Sequence, residues 1–165
     1  MKKIKVGDKL MGYNPDGEGF ELGTVKSCTR IAHVLDDEFE VVTFELLNND
    51  GVLLTNKDLQ SINFIIVNDA YKKRHGLLTS EEIIAIRKNR GWTQEDLAKA
   101  LSFGLKDIAR YENGKIQTKP HDKLIRAIGD DVVFETFKKY LELDQVQSKK
   151  SKQKQKQFKA QLVRM

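Results

Sequence analysis

The sequence predicts an α+β chain, a small N-terminal antiparallel β-barrel followed by an all-α domain of about five helices. Three observations carry this expectation. Residues 9–67 hold short runs rich in Val, Thr, Ile and Phe, separated by the turn clusters Asn14-Pro15-Asp16-Gly17 and Asn48-Asn49-Asp50-Gly51. From Thr79 onward apolar residues recur at intervals of three and four, punctuated by capping residues. Residues 145–165 are rich in Lys and Gln and can bury little apolar surface, which predicts disorder in isolation.

In chain order, Lys9 to Tyr13 reads as a strand, and Phe20 to Val34 as one long bent strand or two short ones around Gly23. Phe39 to Leu46 has strand composition, with Asp36-Asp37-Glu38 as a charged turn before it. Val52 to Leu54 and Ile62 to Val67 complete about five strands, and their spacing predicts a highly curved barrel over residues 1–68. Residues 69–78 read as a polar, basic linker, with a helical turn as the alternative over Asn68 to Gly76. Helical structure is expected over 77–144. Thr79 and Glu82 frame a capping box, Gly91 stops that helix, and Thr93 caps the next, with Leu97, Ala98 and Leu101 facing inward. A third helix runs from about Gly104 to Glu112 and stops at Asn113-Gly114. Pro120 to Ile128 and Val132 to Leu143 follow.

Composition excludes several classes of function. A chain of 165 residues is long enough for one ordinary domain or two small ones, and no apolar run reaches the length of a bilayer span. The basic start is not followed by an apolar segment, so no secretory signal is expected. Cys28 stands alone, which rules out internal disulfides and a cysteine zinc cage and fits a reducing cytoplasm. His33, His75 and His121 lack metal-ligand spacing, and no nucleophile constellation or phosphate-cradling glycine loop appears. No enzyme activity, cofactor, metal or membrane association is expected.

The net charge of +5 is unevenly distributed. Residues 1–78 carry 10 basic and 12 acidic side chains, residues 79–129 carry 10 and 7, residues 130–144 carry 2 and 5, and residues 145–165 carry 7 and none. The positive excess therefore lies in the helical region and the tail, where a polyanionic partner would meet it.

The stretch Gly91–Gly114, GWTQEDLAKALSFGLKDIARYENG, holds two helical segments folded back on one another. Ala98 supplies the small residue that lets the two approach, Phe103 an apolar plug in the turn, and Ile108 the inward residue of the second helix. Leu105, Lys106, Ala109 and Arg110 then face outward, with Lys106 and Arg110 four residues apart on one helical face. Presented to a major groove, that face reads base edges, Lys and Arg taking guanine O6 and N7. Thr93, Gln94, Asn113 and Lys115 are placed to hold phosphates. Tyr111 either reaches a phosphate or packs on the preceding helix. Asp107, a carboxylate that phosphates would repel, either accepts from cytosine N4 or hydrogen-bonds locally; otherwise it argues against tight binding.

WTQEDLAKAL followed by IARYENG resembles the XRE (Cro/cI-like) helix-turn-helix. The longer run from LLTSEEIIAIRKNRGWTQ through RYENGKIQTKPHDKLIRAI resembles the helix-turn-helix domain of MqsA-type antitoxins. The resemblance covers about residues 71–128 and implies double-stranded DNA as partner, with base reading at Lys106 and Arg110. It departs from the pattern in two places: Ser102 stands where the family often has Gly, and this chain lacks the cysteines of the MqsA zinc domain. Val6-Gly7-Asp8-Lys9-Leu10 with Gly23-Thr24-Val25 weakly resembles SH3-like barrels.

The sequence-based expectation is a cytoplasmic, sequence-specific transcriptional regulator, antitoxin-like or a phage-type repressor. It would bind a palindromic operator as a homodimer, with Phe134, Phe137, Tyr140 and Leu141 as candidates for the dimer seam. The competing expectation is a protein-interaction protein that contacts a toxin or other partner through the N-terminal domain, with the helices as scaffold. For the tail, the candidates are a basic arm along phosphates, a partner-ordered segment carrying Phe158, Leu162 and Val163, and a solubilising end.

Overall fold

The computed structural model describes residues 4–17, 19–142, 152, 153 and 155. The expectations for Phe158, Leu162 and Val163 lie outside the described residues. The chain divides into two compact units: residues 1–80 with Asn113–Ile116, and Glu81–Glu112 with residues 117–165.

The first unit is built on four antiparallel strands in the order β1 (Lys9–Asn14), β2 (Gly19–Val34), β3 (Asp37–Leu47) and β4 (Leu53–Leu54). β2 is a single strand of 16 residues, paired without a break to β3 from Thr24↔Leu47 to Val34↔Asp37. Gly12 and Gly23 are there for space. A Cβ on either would lie 2.7 Å from a Leu46 side-chain carbon, so the glycines let Leu46 and Leu54 fill the inside of the curve. The expected barrel does not close. β4 is only two residues long, and one bridge, Tyr13 to Thr55 with both hydrogen bonds at 2.8 Å, joins the ends of the sheet.

The fifth strand expected at Ile62–Val67 is instead part of a helix, α1 (Lys57–Arg74), which also runs through most of the expected linker. Asn56 caps its start by accepting from the Leu59 N–H at 2.9 Å. Asp58 lies in the first turn and Lys72, Lys73 and Arg74 in the last, matching the helix dipole. At the C-terminal end Gly76, at φ 66°, takes the left-handed position, while Leu77 N–H reaches back to Lys72 C=O at 2.8 Å. These end signals outweigh the β-branched run between them.

Side chains alternate along β2, so Val25 and Ala32 point to opposite faces of a twisted ribbon. Val25, Leu46 and Leu54 pack with Leu59 near the start of α1. Ala32, Phe39 and Val41 pack with Tyr71, Ile66 and Val67 near its end. Arg74 secures that end, bonding the Asp37 carboxylate at 2.8 Å and holding its pKa below the ordinary value. Lys72, expected in an exposed linker, is fully buried; its ammonium donates to Asp69 Oδ1 at 2.9 Å and to Ser80 Oγ at 3.0 Å. A buried ammonium needs such partners, because an unpaired charge in the interior is costly.

The second unit contains α2 (Ser80–Asn89, of which Ser80 belongs to the first unit), α3 (Gln94–Ala100), α4 (Asp107–Glu112), α5 (Lys119–Ala127) and a helix α6 whose described part is 131–142. Ile83, Leu97, Ala98, Ile108, Ile125 and Ile128 are fully buried in it. Gly91 ends α2 as expected, at φ 66°, with Gly91 N–H bonded to Lys88 C=O and Trp92 N–H to Arg87 C=O.

Candidate nucleic-acid interface

α3 begins on a capping box. Thr93 Oγ1 accepts the Asp96 N–H at 3.1 Å, and the Asp96 carboxylate takes the Thr93 N–H at 3.0 Å and its hydroxyl at 2.7 Å. The Thr93 hydroxyl, followed by the opposed desolvation of the carboxyl and then the Thr93 N–H, leaves the Asp96 pKa lowered. α3 ends on a second left-handed residue, Ser102 at φ 55°, with Ser102 N–H bonded to Lys99 C=O and Phe103 N–H to Ala98 C=O. This is the same ending that Gly91 gives α2, here made by a residue with a Cβ. Glycine would take this conformation without the strain of a Cβ.

The ending of α3 turns the chain so that Phe103 stacks on His121, ring centroids 3.7 Å apart. His121 Nδ1 also lies 2.7 Å from the Tyr111 hydroxyl, so Tyr111 is tied to α5. The Tyr111 ring is buried.

α4 starts at Asp107 rather than Gly104. Residues 104–107 form a closed turn first: Asp107 N–H donates to Gly104 C=O at 2.8 Å, and Gly104 N–H donates to Asp107 Oδ2 at 3.1 Å. Lys106 therefore precedes α4 rather than lying within it as expected, and its carbonyl accepts the first helical bond, from Arg110 N–H at 3.0 Å. Ile108, Tyr111 and Glu112 are buried. Leu105 is 62% exposed, Lys106 is exposed, the Arg110 side chain is 56% exposed and Ala109 is half-buried. One side of the segment is anchored, and the other carries two cations and a leucine. Asp107 bonds locally, its Oδ1 lying 3.4 Å from Arg110 Nη1.

Gln94 does not simply face outward. Its Nε2 donates to Glu112 Oε2 at 2.7 Å, and Glu112 in turn takes Arg87 through Nε at 2.5 Å and Nη2 at 2.9 Å. Arg87 Nη1 adds a bond to the Trp92 carbonyl at 2.9 Å. The Glu112 and Arg87 side chains are 5% and 13% exposed, and the carboxylate beside it raises the Arg87 pKa. Sequence reading missed this network, although a signal was present. Arg87 and Glu112 each fall four residues after a fully buried isoleucine, Ile83 and Ile108, and so on the inward face of their helices. Asn113 and Lys115 are exposed and fall in the first unit.

Phe134, a candidate for the dimer seam, packs within its own unit. Its ring lies 4.9 Å from Trp92 and 4.7 Å below the Arg90 guanidinium, which also bonds Ile128 C=O, Gly129 C=O and Asp131. Among the described residues, no cluster of His, Cys, Asp and Glu could hold a metal ion, and no helix is long and apolar enough to cross a membrane.

Residues 83–129 match a helix-turn-helix family model. The matched span runs from α2 through α5 and includes Gln94, Leu105, Lys106, Ala109 and Arg110, so the second unit carries a helix-turn-helix, the class of module found in DNA-binding regulators. No curated protein and no solved structure matches the chain.

Proposed function

We propose that this protein is a sequence-specific DNA-binding transcriptional regulator of the XRE type, acting in the cytoplasm as an antitoxin-like or phage-type regulator. The observation that carries this reading is the two-sided segment 105–112. Ile108, Tyr111 and Glu112 fix it to the unit while Lys106, just before α4, and Arg110, within it, are both exposed to solvent. In the major groove, Lys106 and Arg110 take guanine O6 and N7, while Leu105 and Ala109 make apolar contact with thymine methyls. Gln94 Nε2 has two hydrogens; one goes to Glu112 and the other supplies a phosphate contact. Recognition of a palindrome by a homodimer follows from the few base pairs one module reads. Phe137, Tyr140 and Leu141 on α6 are the candidates for the seam. A toxin–antitoxin or phage-type setting rests on the family resemblance.

Selection of bound DNA from a random pool, at fixed salt, tests the reading. Lys106→Ala and Arg110→Ala should each weaken binding to the selected site by about 1–3 kcal/mol and relax base preference. Unchanged preference in the double variant would remove both residues from base reading. Loss of binding only on deletion of residues 145–165 would assign binding to the tail.

A second reading, protein binding by the first unit, is favoured by one observation. Met11 pairs with Leu22 and Tyr13 with Phe20 across β1 and β2, and all four side chains are exposed, Phe20 at 71%. An apolar quartet on a sheet's outer face is a common mark of a protein contact. A photo-crosslinker at position 20 should trap a discrete protein in cells, and the adduct should vanish with Leu22→Ser. No adduct, or one indifferent to Leu22→Ser, would count against this reading.

A further inference from the structure

Asp107 is the acidic residue on the exposed segment that faces DNA in the reading above, and a carboxylate near phosphates weakens binding. Its geometry gives it a different use. Oδ2 is held by the Gly104 N–H, and the main-chain N–H of Asp107 holds the Gly104 carbonyl in return. The carboxylate is thereby fixed at the start of α4, 23% exposed, with Oδ1 turned to Arg110 Nη1. The fit is close, because a Cβ on Gly104 would lie 2.9 Å from Oδ2.

We propose that Asp107 is a specificity-determining positioning residue, which holds the Arg110 guanidinium in the posture that reads a guanine and keeps it from nearby phosphates. The proposal rests on Arg110 being a base reader. Arginine has five N–H donors on a long flexible stem, and an unrestrained one satisfies them on phosphates regardless of sequence. With one donor directed to Asp107, the remaining edge meets guanine O6 and N7 as two parallel acceptors. Adenine offers an acceptor beside a donor and is rejected. The carboxylate lowers affinity for all DNA and raises the contrast between sequences.

The test uses the full chain and competition binding, at fixed salt, to the selected site and to every single base-pair change in it. Arg110→Ala first identifies the base pair that Arg110 reads. Asp107→Asn keeps an acceptor for the Gly104 N–H but removes the charge. It should lower preference at that base pair about tenfold, leave the other positions unchanged, raise affinity for unrelated DNA, and keep the thermal midpoint. Gly104→Ala crowds the carboxylate while keeping its charge, so preference at the same pair should relax without the gain on unrelated DNA.

If Arg110→Ala changes no preference, the base-reading assignment falls, and this proposal with it. If Arg110→Ala erases preference at one pair while Asp107→Asn keeps it within twofold, only the positioning role is overturned. A uniform loss of preference with a lowered thermal midpoint also overturns that role, since it would make Asp107 merely structural.

Discussion

Replacing Glu112 with alanine should damage the second unit more than any surface substitution. The wild-type carboxylate is 5% exposed and takes two bonds from Arg87 and one from Gln94. Its removal leaves the Arg87 guanidinium, itself 13% exposed, with its bond to the Trp92 carbonyl but no counter-charge. Breaking one side of such a pair costs about 3–5 kcal/mol, because the remaining charge stays desolvated. Against a typical total of ~5–15 kcal/mol, that loss is large enough to unfold a marginal unit. Arg87→Met with Glu112→Leu removes both charges and fills the space, so the double variant should recover to within about 2 kcal/mol of wild type. The residual reflects the Gln94 amide left without its acceptor. Urea unfolding followed by fluorescence is the assay. Trp92, the chain's one tryptophan, lies in the same unit and reports on it directly. A cost below about 1 kcal/mol for Glu112→Ala, or single effects that simply add in the double variant, would refute the reasoning.

Two further outcomes follow from local geometry. Ser102→Gly should stabilise the second unit by about 0.5–1 kcal/mol, since relief of a left-handed side chain slightly exceeds the added freedom of the unfolded chain, whereas Ser102→Ala should not. Equal midpoints for the Gly and Ala variants in the same urea assay would sink that account. The second concerns acid. The Asp96 carboxyl is held below its ordinary value of 3.8, so its contribution is complete above about pH 4 and is lost as pH falls through the lower folded value. Thr93→Ala should therefore flatten the fall in stability below pH 4, measured by Trp92 fluorescence; an unchanged acid slope would remove the capping box as its source.

Much of the candidate site was legible because its signals lie within a few residues of one another. The Thr93 cap, the Gly91 stop, the buried Ala98 and Ile108 and the outward Lys106 and Arg110 are set by local conformation and helical period. The misreading of Ile62–Val67 has a physical origin. Six residues of Ile, Asn, Phe and Val fit a strand or a buried helix equally, and the deciding signals, Asn56 and Gly76, sit at the two ends of a longer element.

The amino-acid order by itself determined the succession of helices and turns in residues 79–128 (though not the start of α4), the burial of Ala98 and Ile108, and hence the helix-turn-helix. Only the tertiary structure decided that Arg87, Gln94 and Glu112 form one buried network, that Lys72 lies in the interior, and that Phe134 packs on Trp92 and Arg90. The reason is a difference in range. Caps and helical faces follow from steric and hydrogen-bonding rules over three or four residues, whereas a buried charge or ring takes its partner from elements brought together only when the whole core packs.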